Sequence, residues 1–225
     1  ELPTFTGAIA AFKNMQAELR GVRLEHDGIS LDDLDEVWQR ATRAGRAVKL
    51  LYLIPNFQNP TGSLLGLGKR SQVLDWAERR DVLIVEDDPY GLLYFDDVAT
   101  EAETRPIAAD DRNGRVLYLS TVSKMLAPGF RVGWMKAPEA LIERFDTAKQ
   151  STDLTSGILD QHIVHEALRL GVADRLAPRL RDLYRHKRDV MAGAIGARLG
   201  SRLTWPTPRG GFFLWATLPE GHTDT

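Results

Sequence analysis

The sequence predicts an α/β fold built on a largely parallel sheet, and three observations carry that prediction. Apolar runs of strand length alternate with segments of helical periodicity. Two of the runs, VKLLYLI (residues 48–54) and VLIV (residues 82–85), are nearly continuous apolar sequence, as strands buried on both faces are. Each run leads into polar residues and turn formers, at the strand ends where open α/β sheets bind their ligands.

Taken in order, Pro3-Thr4 leads into an apolar-periodic helix over residues 8–19, and a short strand follows at residues 22–25. Ser30, with Asp33 three residues on, reads as a capping box. Leu31, Leu34, Val37, Trp38 and Ala41 then mark one face of a helix. The strand at 48–54 precedes a helix over residues 71–80 that turns Val73, Leu74 and Ala77 inward. Strands follow at 82–85 and 115–119, and residues 131–135 form a short strand returning along the sheet. From Pro138 the pattern is helical. Leu159, Ile163, Ala167 and Leu168 line one helix, and a longer one over residues 176–199 is stopped by Gly200. Residues 203–218 return to strand-like sequence. This change of character sets a domain boundary near residue 175.

Composition narrows the function classes. Among 225 residues, 43% are hydrophobic and 27% charged, the profile of an ordinary globular protein. With 29 basic and 31 acidic residues the formal charge is −2, so no global field points to nucleic acid or an anionic membrane as partner. The most basic stretch, residues 169–188, has helical spacing and reads as a solvated helix face. No apolar run approaches the ~20 residues that a membrane span needs. The sequence has no cysteine, which excludes disulfides and thiolate chemistry and fits a reducing compartment. His162, His165 and Glu166 have near-helical spacing and read as an exposed helix surface rather than a metal site.

The chemistry-bearing residues gather at three strand ends. PNFQNPTG (residues 55–62) follows the first, Asp87 and Tyr90 the second, and Thr121, Ser123 and Lys124 the third, with Arg131 seven residues beyond the lysine. A lysine near cationic or apolar groups loses its proton near neutrality and attacks a carbonyl. Arg131 supplies a planar fork for a phosphate dianion, with the Thr121 and Ser123 hydroxyls completing the cup. A buried aspartate beneath a pyridine nitrogen keeps it protonated, and Asp87 is the candidate. Asn59 and Tyr90 are placed to donate hydrogen bonds to a phenolate oxygen. Together the set matches a phosphorylated aromatic aldehyde.

PNFQNPTG, VEDDPY (85–90), STVSKMLAPGFRVGW (120–134) and PRGGFFLW (208–215), in this order and spacing, resemble the class I/II aminotransferases of pyridoxal-phosphate fold type I. The resemblance covers essentially the whole chain and is nearest to the 2-aminoadipate and aromatic aminotransferase-like branch. It implies a three-layer α/β/α large domain over residues 1–175, lacking its N-terminal part. Residues 176–225 would then be the connecting helix and the beginning of a small α+β domain. It implies pyridoxal 5′-phosphate as cofactor, held as a Schiff base on Lys124, with Asp87 as partner of the pyridine nitrogen. The family's paired tyrosine follows that aspartate by three residues, which selects Asp87 over Asp88 and identifies Tyr90. Asn59 corresponds to the asparagine at the ring oxygen and Arg131 to the phosphate-binding arginine, with Thr121 and Ser123 as neighbouring hydroxyls. The family's Gly- and Ser-rich phosphate loop falls upstream of residue 1, and its carboxylate-binding arginine beyond residue 225. The expected activity is transamination between an L-amino acid and a 2-oxo acid in a cytoplasmic homodimer, with no metal, nucleic-acid or membrane partner. The alternatives are the effector domain of a helix-turn-helix transcriptional regulator and a lyase or decarboxylase on the same scaffold.

Overall fold

The computed structural model describes residues 1–219 and 221. At its centre is a four-stranded sheet in the order β3 (Leu50–Leu53), β4 (Leu83–Asp87), β5 (Val116–Thr121), β6 (Gly133–Lys136). The first three strands run parallel, and β6 returns antiparallel to β5. This is the mostly parallel α/β architecture that the apolar runs predict. The helices α2 (Leu31–Arg43) and α3 (Leu67–Arg80) supply the crossover layer. Leu34 and Val37 from α2, with Val73 and Ala77 from α3, pack with Leu51, Leu53, Ile84 and Val116 of the strands. Strand alternation puts these four on one sheet face and Tyr52, Val85 and Asp87 on the other.

A second apolar core lies under the carboxyl ends of the strands. It joins Ile54 and Phe57, Tyr90, Leu93 and Tyr94, Met125 beside Lys124, and Ala177. Ala177 belongs to α6 (Val172–Leu199), a single unbroken helix that crosses the boundary expected near residue 175. The helix is bound to the body by cations that also present apolar stems. Arg181 stacks over the Tyr94 ring at 4.3 Å and pairs with Asp96, while Arg188 lies over Phe95 and pairs with Asp97 at 2.6 Å. The face expected to be simply solvated therefore docks the helix at these two positions.

Several local expectations change. Helix α1 covers Thr6–Asn14 and stops short of residue 19, where Gln16 adopts a left-handed conformation. The short strand shrinks to β1 (Leu24–Glu25), which pairs with β2 (Gly28–Ile29). Ser30 does occupy the N-cap of α2, but its side chain makes no capping bond. Asp33 instead accepts the Arg23 backbone N–H at 2.7 Å, so the capping box does not form. Helix α3 begins at Leu67, four residues before the expected start. The helical stretch after Pro138 resolves into α4 (Glu139–Thr152), α5 (Ile158–Arg169) and α6. Residues 203–218 hold only isolated bridges, Tyr94 to Gly210 and Thr204 to Thr217, and Glu220 and residues 222–225 lie outside the described residues. Among the described residues no helix is long and apolar enough to cross a membrane.

Candidate active site

Parallel pairing brings the carboxyl ends of β3, β4 and β5 side by side. The loop after β3 is fixed in shape by hydrogen bonds of its polar side chains. Gln58, almost fully buried, accepts from the backbone N–H and the hydroxyl of Thr61 and donates to the Pro3 carbonyl at 2.7 Å. Phe57, with φ of 51° and no exposure, anchors the loop in the second core. Asn59 thereby comes to lie beside Tyr90. Burial pushes the Tyr90 hydroxyl pKa up, and hydrogen bonding from the Asn59 amide offsets part of that.

Asp87, which ends β4, and Asp88, which follows it, divide sharply. Asp88 is buried and both its oxygens are taken: Oδ1 accepts from Asn56 Nδ2 and from the Gly91 N–H, both at 2.9 Å, and Oδ2 accepts from Tyr118 OH at 3.1 Å. Asn56 in turn accepts from the buried Arg70 at 2.7 Å, whose guanidinium also donates to the Leu65 and Arg105 carbonyls. Asp87 faces the other way. Its Oδ2 accepts from Tyr52 OH at 2.6 Å, and its other oxygen has no hydrogen-bond partner among the described residues. Burial raises the Asp87 pKa, against which the Tyr52 hydroxyl pulls it down. A carboxylate half-buried at a strand end with one oxygen free suits a cationic N–H donor.

At the end of β5, Thr121 caps the one-turn helix Val122–Lys124 by accepting from the Ser123 N–H. Its hydroxyl donates to the Val132 carbonyl at 2.8 Å and meets the Ser123 hydroxyl at 2.9 Å. Since the Thr121 proton goes to Val132, Ser123 must be the donor between the two hydroxyls. Thr121 thus shapes the turn, and Ser123 can rotate its proton toward an anion. Lys124 is half-buried, and its amine has no hydrogen-bond or ion-pair partner among the described residues. Arg131 is exposed, holds φ of 51°, and donates only a long 3.3 Å bond to the Pro128 carbonyl. A hydrogen bond therefore links Thr121 with Ser123 and Asn59 lies near the Tyr90 hydroxyl, while Lys124 and Arg131, at the same sheet edge, make no hydrogen bond to any of these among the described residues.

Sequence reasoning passed over Tyr52, Asn56, Arg70, Asp88 and Tyr118. Tyr52 and Tyr118 lie inside apolar strands and look like core, and Arg70 looks like a surface arginine of a helix. Only the polar character of Tyr in an otherwise aliphatic strand could have flagged the first two. Asp88, set aside there in favour of Asp87, anchors the network instead. A cavity of about 660 Å³ is lined by Asp88, Tyr118, Ser120, Thr121, Arg105 and Trp134; of the candidate residues it takes in Thr121 but not Lys124, Asp87, Asn59 or Tyr90. His162 and His165 lie on α5, and no group of three metal-ligating side chains forms among the described residues.

The donors and acceptors suit pyridoxal phosphate: a free carboxylate oxygen for a ring N–H, Asn59 and Tyr90 for a phenolic oxygen, an unpaired amine, and a guanidinium with a hydroxyl. Comparison with known proteins agrees in kind. The family model "Aminotransferase class I and II" matches residues 1–223. Aromatic-amino-acid aminotransferase 1 of Thermococcus litoralis is 39% identical over 98% of this chain and 52% of its own length. The solved α-aminoadipate aminotransferase LysN of Thermus thermophilus, complexed with N-(5'-phosphopyridoxyl)-L-leucine, superposes with a TM-score of 0.86 at 36% identity, over 97% of this chain and 55% of that one. The uncharacterized HTH-type transcriptional regulator YdfD of Bacillus subtilis is 32% identical over 96% of this chain and 43% of its length. The chain thus spans about half the length of the relatives it matches. On the family match and the fold together, the chain belongs to the aminotransferase class I and II family.

Proposed function

We propose that this chain carries the cofactor-holding centre of a pyridoxal-phosphate-dependent aminotransferase that moves an amino group from an L-amino acid to a 2-oxo acid. The observation that supports it most is the split between adjacent aspartates, Asp88 saturated by protein donors and Asp87 with one oxygen free. When bound, the cofactor supplies an aldehyde for covalent capture by an amine and a protonated ring that withdraws electrons. Lys124 is the amine that carries it and that moves the proton at the substrate α-carbon. Asp87 holds the proton on the ring nitrogen, and Asn59 and Tyr90 donate to the phenolic oxygen. Ser123 and Arg131 bind the phosphate, with Thr121 shaping their turn. The working unit is a homodimer in the cytoplasm, a reading supported by the family resemblance.

Borohydride reduction of the complete protein with added pyridoxal phosphate, followed by peptide mass, should give a phosphopyridoxyl adduct on Lys124. Lys124→Ala should lose both the adduct and turnover. Transamination at the wild-type rate in that variant would refute the assignment. The YdfD match favours a second reading, the effector domain of a transcriptional regulator. That reading predicts cofactor capture without multiple turnovers, and sequence-specific DNA binding by the complete reading frame.

A further inference from the structure

We infer that Tyr52 is a positioning residue that clamps Asp87 through its hydroxyl and so sets how firmly the ring nitrogen keeps its proton, an inference resting on the proposed site. Tyr52 lies on β3 opposite Val85 of β4, so Asp87, two residues on, is its diagonal neighbour on the same sheet face. A long aromatic side chain reaches across that diagonal, and here it ends in a 2.6 Å hydrogen bond to Asp87 Oδ2. The Tyr52 ring is itself seated edge-on against Phe12 of α1, with centroids 5.6 Å apart. Asp88 cannot take the role, because its two oxygens already accept three hydrogen bonds.

One hydroxyl has two effects. It fixes the carboxylate torsion, so that the free oxygen points one way. It also favours the ionised form of Asp87, opposing the burial that raises its pKa. The ionisable side chains that act on the pair are Glu1, Tyr90 and, from the opposite sheet face, Asp88, all of them acids, so none is a cation that could replace the hydroxyl. Burial, with Asp87 beside it, drives the Tyr52 pKa upward, so the hydroxyl stays protonated as a donor. Without it, Asp87 holds its own proton more readily and the ring nitrogen loses positive charge. The proton on the linkage between Lys124 and the cofactor then meets less repulsion and is kept to higher pH.

The test is a pH titration of the visible absorbance of bound pyridoxal phosphate in the complete protein, wild type against Tyr52→Phe. The variant should move the midpoint up by about half a pH unit or more and lower kcat about tenfold. KM for the amino donor should change less than about twofold, because the hydroxyl does not touch substrate. In an Asp87→Asn background the same substitution should have no further effect on the midpoint. Should Tyr52→Phe fold poorly, 3-fluorotyrosine at position 52, a stronger donor of nearly the same shape, should move the midpoint down. Unchanged midpoints in these variants, with the borohydride adduct still on Lys124, would overturn this inference alone. An adduct absent from Lys124 in the wild type would overturn the site assignment, and this inference with it.

Discussion

Two neighbouring aspartates of the same type and spacing play opposite parts, and the difference lies in which face of β4 each side chain leaves. Asp88 turns toward Asn56 and Tyr118 and fixes the strand-end turn, while Asp87 turns toward Tyr52 and the open edge. Substitution should separate them. Asp88→Asn places an amide N–H₂ where two oxygens now accept three donors, and should destabilise the fold by about 2 kcal/mol. Asp87→Asn keeps an oxygen for Tyr52 and should change stability by less than about 1 kcal/mol, yet lower kcat about a hundredfold or more. Denaturant unfolding and transaminase rates on both variants check this. Equal stability losses would show that Asp87 is structural too.

At the scale of elements, the site depends on how closely the loops pass. Gly210 and Gly211, in the PRGGFFLW motif, lie against Phe57 and Leu93. A Cβ on Gly210 would meet the Phe57 ring and come within 2.6 Å of the Leu93 carbonyl oxygen. Gly211 donates its N–H to that carbonyl at 2.9 Å and has φ of 69°, a conformation that favours glycine. The glycines therefore let the tail close over the loop carrying Asn59. Gly210→Ala should cost about 2–3 kcal/mol, by overpacking against a backbone atom that cannot move aside. It should also loosen residues 55–62, read as faster amide exchange there; unchanged exchange would deny the tail that role.

For the whole molecule, buried carboxylates tie stability to pH. Glu86, on the helix-covered face of β4, has no exposed surface and accepts the backbone N–H groups of Ile107 and Ala108, both at 2.8 Å. Burial outweighs those bonds and raises its pKa to about 7 from an ordinary value of 4.5. The folded state then holds this proton more tightly than the unfolded chain. Its contribution to stability is complete below about pH 4.5 and is lost as pH rises to about 7. Glu86→Gln should remove a decline of about 1 kcal/mol per pH unit across that window. Unfolding free energies at several pH values test it, and parallel curves for variant and wild type would place the titration elsewhere.

The fold class and the family were legible in the sequence, and the contacts were not. Continuous apolar runs imply parallel strands because both faces must be covered, and polar clusters after such runs imply a ligand edge because loops there are free of the ladder. Lys124, Asp87, Asn59 and Tyr90 could be picked out on that basis, and the order of their motifs identified the family. Tertiary structure alone decided what depends on contacts between distant segments. It paired Tyr52 with Asp87 across 35 positions and Asn56 with Asp88 across 32, and it set Phe57 against Gly210. It also exchanged the expected cap of α2 for an Asp33 bond to Arg23. A pattern of residue types records which groups must be buried or paired. Which partner each one finds is set by strand register and by the packing of loops that the chain brings together only when folded.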